Sequence, residues 1–191
     1  MESTHLKLEL FTRSQIADLF EALGSDPEIY RWMRFWTPQN VEELSIVMEK
    51  YIQENEEGIR ATYAVILKST GAVIGTTSFL DLKSPHNSLE VGSTLYAKAY
   101  WRTFVNTECK LLMLTEAFEN RGIERVTIKA DSLNQRSRDA IARLGASFEG
   151  ILRHQALRAD GTWRDAAYYS ILREEWPSVK IGLENKLKAH A

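Results

Sequence analysis

The sequence predicts a mixed α/β fold, in which helices flank a central β-sheet. Three observations predict it. Hydrophobic residues make up 44% and charged residues 26% of the 191 residues, the composition of a globular chain long enough to bury a core without a disulfide or metal. Strand-like runs in the first half are joined by a turn, which is the pattern of an antiparallel hairpin. Later a strand, a helix and another strand follow one another, and a crossover of that kind sets two strands parallel.

Each element has its own signal. Leu6 to Leu10 reads as an opening strand. Arg13 to Leu23 reads as a helix because Ile16, Leu19, Phe20 and Leu23 recur at helical spacing, and Gly24 is a natural stop. Residues 25–40 form a connection punctuated by prolines and aromatics, among them Trp32, Phe35 and Trp36. Val41 to Asn55 returns to helix, opened by Asn40 as N-cap with Glu43 three residues on. Residues 61–67 and 72–82 read as strands joined at the turn Lys68 to Gly71. A polar loop, Lys83 to Asn87, leads to a strand at Ser88 to Tyr96. Thr107 to Asn120 is a helix with Leu111, Leu112, Leu114 and Phe118 on its apolar stripe. Val126 to Ala130 is the next strand, and Gln135 to Leu144 a helix between Asn134 as N-cap and Gly145 as stop. Residues 148–157 and 166–172 are the last strands, and the tail from Glu174 is a short helix. No repeat, low-complexity segment or linker interrupts this order, so residues 1–191 are expected to form one domain.

Composition also narrows function. A net charge of −2 gives no basic field for a nucleic-acid backbone or an anionic membrane. Cys109 is the only cysteine, which suits a reducing, cytoplasmic setting and a buried structural thiol. The N-terminal residues lack a signal-peptide pattern, and no apolar run is long enough for a membrane helix. His5, His86, His154 and His190 are scattered without metal-ligand spacing, so no metal is expected.

Two stretches carry a resemblance. One is Leu89-Glu-Val-Gly-Ser-Thr-Leu95, followed by Trp101-Arg-Thr-Phe-Val-Asn-Thr-Glu108; the other is Asn134-Gln-Arg-Ser-Arg-Asp-Ala-Ile-Ala-Arg-Leu-Gly-Ala146. With the element order, they resemble the GNAT superfamily of N-acetyltransferases over about residues 5–176. The second stretch, an asparagine opening a helix that ends in Leu-Gly-Ala, looks like the branch of ribosomal-protein N-terminal (alanine/serine) acetyltransferases. So does the sequel from Phe148 to Leu172.

The resemblance implies a GNAT-like acyl-CoA N-acyltransferase fold with a partly splayed mixed sheet. It implies transfer of acetyl from acetyl-CoA to a primary amine, by direct attack in a ternary complex. The acceptor would be a protein N-terminal α-amine or a small-molecule amine. Acetyl-CoA would lie in a gap between the strands at 89–96 and 126–130, its pantetheine arm against Thr94, Leu95 and Tyr96. The pyrophosphate would rest on the loop of Trp101, Arg102, Thr103, Phe104, Val105, Asn106 and Thr107. Independent physics supports that loop, because helix N-terminal N–H groups and the helix dipole attract anions. Where the family loop reads Gln/Arg-x-x-Gly-x-Gly/Ala, this chain has Phe104 and Asn106. Glycine lets a backbone approach phosphate, so Phe104 must turn its side chain away, leaving Arg102 and Thr103 as further phosphate ligands.

The resemblance also places candidate catalytic groups. Glu90 stands where the family has a base that takes the amine proton through a water; a plain strand carboxylate or ion pair is the simpler role. Asn134 matches the residue that bonds the pantetheine arm, and it can cap its helix as well. Ser137, one turn on, is a candidate proton donor to the leaving sulfur or a polar contact. Arg138 is a candidate phosphate ligand or a solvent-facing arginine. Tyr169 and Ser170 fall near the family's thiolate proton donors, and strand periodicity lets only one of them face the cleft. Trp32, Phe35 and Trp36 line an acceptor pocket or pack as core. Exposed strand edges would support a homodimer. An alternative stays open: an acyl-CoA or ligand sensor on the same fold, without catalysis.

Overall fold

A computed structural model describes residues 1–82 and 85–189. Lys83 and Ser84 of the expected polar loop, and His190, lie outside the described residues. The chain begins with β1 (Leu6–Leu10), a single tight turn at Arg13–Gln15, and α1 (Ile16–Leu23). The aromatic connection contains a short helix, α2 (Pro27–Tyr30). Its local cause is Asp26, whose carboxylate accepts the Glu28 N–H at 2.9 Å, with Pro27 at the first helical position. Next come α3 (Val41–Glu56) and three strands: β2 (Arg60–Leu67), β3 (Val73–Leu80) and β4 (Ser88–Tyr96). Asn40 caps α3 by accepting the Glu43 N–H at 2.8 Å. Glu43 reaches back one residue further than a capping box requires, to the Gln39 N–H at 2.9 Å.

The following helix, α4 (Val105–Thr115), starts two residues before the expected Thr107 and runs on through a wider π turn at Glu116–Asn120. The early start follows from Thr103, whose Oγ1 accepts the Val105 N–H at 3.3 Å. The chain ends with β5 (Arg125–Asp131), α5 (Gln135–Leu144), β6 (Ser147–Leu157), β7 (Trp163–Leu172) and α6 (Trp176–Lys188). β7 begins three residues earlier than its apolar run, because Arg158 holds the hairpin turn through the Trp163 carbonyl at 2.7 Å.

The seven strands form one sheet in the order β1-β2-β3-β4-β5-β7-β6. Every pair is antiparallel except β4–β5, the parallel pair that the strand–helix–strand order predicts. α4, α5 and α6 cover one face, over Phe79, Leu89, Val91, Val126, Ile128 and Ile171. α1, α2 and α3 cover the other face at the β1–β4 end, over Ala64, Val73, Leu95 and Ala97.

Two irregularities shape the middle of the sheet. The β4–β5 ladder holds only from Ser88↔Arg125 to Glu90↔Thr127. Beyond it the strands diverge, and α5 begins where β5 ends. On the other side of β4 the register slips between Thr76↔Leu95 and Ser78↔Gly92, one extra β4 residue against β3. That bulge includes Ser93 at φ 46°. A bulge bends its strand and increases its twist, which turns the Thr94–Tyr96 segment out of the β5 ladder.

Candidate active site

The divergence of β4 from β5 opens the sheet from one face to the other. A cavity of about 800 Å³ lies on the α4–α5 side, lined by β4, the Tyr100–Thr107 turn and α5. A second, of about 440 Å³, lies over β4, β5 and the segment after α2. The two share Thr94, Asn106, Asn134, Ser137, Ala140 and Leu144. They therefore abut at one seam, at the point where the strands part.

The larger cavity gathers most of the residues expected to hold the cofactor. Thr94, Leu95 and Tyr96 line it along the freed stretch of β4. Trp101, Arg102, Thr103, Asn106 and Thr107 line it from the loop, and Asn134 and Ser137 from the start of α5. Asn134 Oδ1 accepts the Ser137 N–H at 3.1 Å, so it caps α5 while facing the cavity. Thr103 Oγ1 donates to the Tyr100 carbonyl at 2.8 Å, which spends that hydroxyl on shaping the loop. The first-turn N–H groups of Asn106 and Thr107 have no partner inside α4, by helix geometry.

Phe104 does not line this cavity. Its backbone is helical, φ −62° and ψ −22°, so no glycine is needed there. Its ring lies 4.9 Å from the His5 ring. Arg102 instead adopts the left-handed conformation, φ 62°. Val105 is fully buried in the core. Arg138 does not line the cavity: its Nε donates to the Tyr169 hydroxyl at 3.3 Å and its Nη1 to the Ser132 carbonyl at 3.2 Å. Basic side chains with no sequence signal stand there instead. Arg136, Arg143 and Lys186 line the cavity, and Arg136 stacks 3.5 Å from the centroid of the Trp101 ring.

The smaller cavity holds Glu90, which is 8% exposed. Its Oε2 lies 2.5 Å from Lys129 Nζ. Parity explains the meeting: Glu90 pairs with Thr127, and Lys129 is two residues further along the same face of β5. Burial pushes the Glu90 carboxyl above its ordinary range, more than the Lys129 charge pulls it down. Trp32 lines this cavity. Phe35 packs edge-on to Tyr30, and Trp36 is largely exposed; neither lines it. Tyr169 and Ser170 take opposite faces of β7: Tyr169 is in the core and Ser170 bonds Glu149 at 2.8 Å. Neither lines the two cavities.

Lys110 also lines the smaller cavity, although it is only 5% exposed. Its Nζ donates to Thr94 Oγ1 at 2.7 Å and Thr77 Oγ1 at 3.0 Å. No ion pair to it occurs among the described residues, and burial lowers its pKa. Sequence reasoning passes over such a residue because lysines on helices usually face solvent. Cys109 beside it is fully buried, and burial raises its thiol pKa. Among the described residues, no group of three histidine, cysteine or acidic side chains could hold a metal. No helix among them is long and apolar enough to cross a membrane.

The chain is 24% identical over 160 residues to an uncharacterized N-acetyltransferase, p20, of Bacillus licheniformis, spanning 84% of this chain and 89% of that one. It is 31% identical over 110 residues to a Bacillus subtilis (strain 168) protein named "putative ribosomal N-acetyltransferase YdaF", spanning 58% and 59%. Its fold superposes on a GCN5-related N-acetyltransferase from Brucella melitensis with TM-score 0.89 and 26% identity, over 96% of this chain and 83% of that one. Residues 5–147 match the acetyltransferase (GNAT) domain family, and the chain belongs to that family.

Proposed function

We propose that the chain transfers an acetyl group from acetyl-CoA to a primary amine, by direct attack in a ternary complex. One observation carries this: the two cavities meet at a seam of six shared residues where β4 leaves β5. A thioester entering from one side and an amine from the other would come within reach of each other there, which is most of what such a reaction needs.

The larger cavity suits acetyl-CoA. It offers an unpaired strand edge, a helix N-terminus and the basic side chains Arg102, Arg136, Arg143 and Lys186. Bound there, acetyl-CoA supplies the activated acyl group. The backbone of Thr94, Leu95 and Tyr96 would pair with the pantetheine arm, and Asn134 would bond it from the α5 side. The N–H groups of Asn106 and Thr107 would face the pyrophosphate, on a loop that Trp101, Thr103, Phe104 and Val105 hold in shape. Arg138 would act from behind, by fixing Tyr169 and the start of α5.

Glu90 would take the amine proton through a water, with the Lys129 charge opposing the upward push of burial on its carboxyl. Ser137 lies at the seam and would stand beside the leaving sulfur; Tyr169 lies further off, behind Arg138. Lys110 and Thr94 would place positive potential where the thioester oxygen gathers charge. An α-amine, with a pKa of about 8, is partly neutral at pH 7 and asks little of a base. A protein N-terminus is thus a fitting acceptor, as the name of the Bacillus subtilis relative suggests, and small amines share the chemistry. A homodimer through the free edge of β6 belongs to the same proposal.

Thiol release tests the reading. The protein should free CoA from acetyl-CoA only when an amine acceptor is present. Asn134→Ala should weaken acetyl-CoA binding in calorimetry. Binding without thiol release across diverse acceptors would refute the enzyme and leave an acyl-CoA sensor.

A further inference from the structure

The smaller cavity carries more cation than its own acids can match. Arg34, Arg60, Lys110, Lys129 and Arg164 line it, against Asp81, Glu90 and Asp131. Glu90 is taken by Lys129. Asp131 is taken by Arg158, at 2.8 Å and 3.2 Å through two guanidinium nitrogens. Arg164 comes no closer than 4.0 Å to Asp131. Its side chain is 16% exposed, and its buried Nε has no hydrogen-bond partner among the described residues. Burial holds its pKa below the ordinary guanidinium range, and the charge of Arg34 adds to that, against the pull of Asp131.

Arg60 reaches the same cavity from the start of β2. It is 7% exposed and held from three sides. Its Nε lies 2.8 Å from Glu54 Oε2, its guanidinium lies 3.7 Å from the Tyr51 ring centroid, and its Nη2 donates to Ser93 Oγ at 3.3 Å. Its Nη1 is buried with no hydrogen-bond partner among the described residues. A buried donor without a partner is rare in a folded protein. Here two arginines with such donors line one cavity, and a third adds its charge beside them.

We infer that these arginines form a binding subsite for an anionic group on the acceptor, so that the preferred substrate is an amine that also carries a carboxylate. Arg60 and Arg164 would donate to the carboxylate, with Arg34 at the exposed rim. The amine would then lie toward Glu90 and the seam. The charge count favours an anion: once Glu54 is matched to Arg60, Glu90 to Lys129 and Asp131 to Arg158, the lining groups Arg34, Lys110 and Arg164 face Asp81 alone. The guanidinium fork suits a planar carboxylate. Two sources share this chemistry: an acidic side chain close to a peptide's N-terminus, or a free amino acid.

The inference rests on the proposed acetyl transfer, and the test separates the two. Acceptors are compared in pairs matched for amine pKa. One pair is a peptide with aspartate at its second position against the same peptide with asparagine. The other is an ω-amino acid against its carboxamide. The acidic member should show kcat/KM higher by on the order of 10- to 100-fold, the worth of hydrogen bonds to a charged group, mostly through KM. Arg164→Gln should bring that ratio toward one, and Arg164→Glu should invert it for acceptors carrying lysine in place of aspartate. Arg60→Met should act in the same direction; if it fails to fold, the less buried Arg164 still decides. Calorimetry with the acetylated peptides gives the comparison without turnover. Preference in the peptide pair alone, or in the amino-acid pair alone, supports the subsite and names its source. Thiol release with equal rates in both pairs overturns the subsite and leaves the acetyl transfer standing. Thiol release from no acceptor overturns both.

Discussion

Replacing Glu90 with glutamine removes one proton acceptor and keeps the side chain's shape, so it isolates the proposed base. At an α-amine pKa of about 8, about one acceptor in ten is neutral at pH 7 and about one in a hundred at pH 6. If Glu90 takes the proton, the native protein can use the cationic majority. Its kcat/KM then stays level below pH 8 until Glu90 itself is protonated. Burial places that limb above the ordinary carboxylate range, so the carboxylate is lost earlier as pH falls than an exposed one would be. Glu90→Gln must wait for neutral amine, and its kcat/KM should fall tenfold per pH unit below about 8. The ratio of native to variant should therefore be smallest at pH 8 and rise to about 10 at pH 7, equal to about 1.4 kcal/mol, and it should stop rising where Glu90 itself takes up its proton. Steady-state thiol release with a peptide acceptor, from pH 5.5 to 9, reads it directly. A ratio that does not change with pH would refute the base. The substitution also strands the Lys129 ammonium, whose side chain is 19% exposed. A buried charge left unpaired costs about 3 kcal/mol or more, or about 6–12 °C in Tm for a chain of this length. The double variant Glu90→Gln/Lys129→Met should recover part of that stability without recovering low-pH activity.

Other perturbations test the frame around the site. Glu108 is buried, accepting the His5 N–H at 2.8 Å and pairing with His5 Nδ1 at 2.9 Å. Burial raises its carboxyl, but hydrogen bonds from Ser3 and His5 outweigh burial and hold it below the usual range. Its stabilisation is therefore present above the ordinary carboxylate pKa and lost as pH falls through the lower folded value. Glu108→Gln should cost about 1–3 kcal/mol at neutral pH and flatten the acid side of a thermal-unfolding profile. In Gly75→Ala, the new Cβ would stand 2.1 Å from the Leu95 carbonyl oxygen; β3 and β4 must part there. Chemical denaturation should show a loss of about 3 kcal/mol or more with weaker acetyl-CoA binding, whereas Gly182→Ala, in open space on α6, should stabilise by about 0.5–1 kcal/mol. Phe148, Ile151, Leu152 and Leu157 on β6 are about half exposed. Light scattering should therefore give about twice the 21.9 kDa chain mass, and Ile151→Glu should return it to one copy.

Local signals were enough for most elements. β1, β4 and α5 have their expected bounds, because alternation, helical spacing and the Asn134 and Gly145 boundaries act within a few residues. The same locality explains the errors. The start of α4 depends on the Thr103 hydroxyl, and α2 depends on the Asp26 cap; each is a side-chain bond no periodicity registers. The sequence by itself therefore determined the order of the strands and long helices, the parallel crossover and a loop ahead of α4. Only the tertiary structure decided the rest of the site. It joined Glu90 to Lys129 across β4 and β5, buried Lys110 against two threonines, and brought Arg60 and Arg164 into one cavity. It also turned Arg138 onto Tyr169 and set Arg136, Arg143 and Lys186 around the cofactor cavity. These residues come from elements far apart in the chain. What a charged side chain does depends on the burial and partners that packing alone supplies.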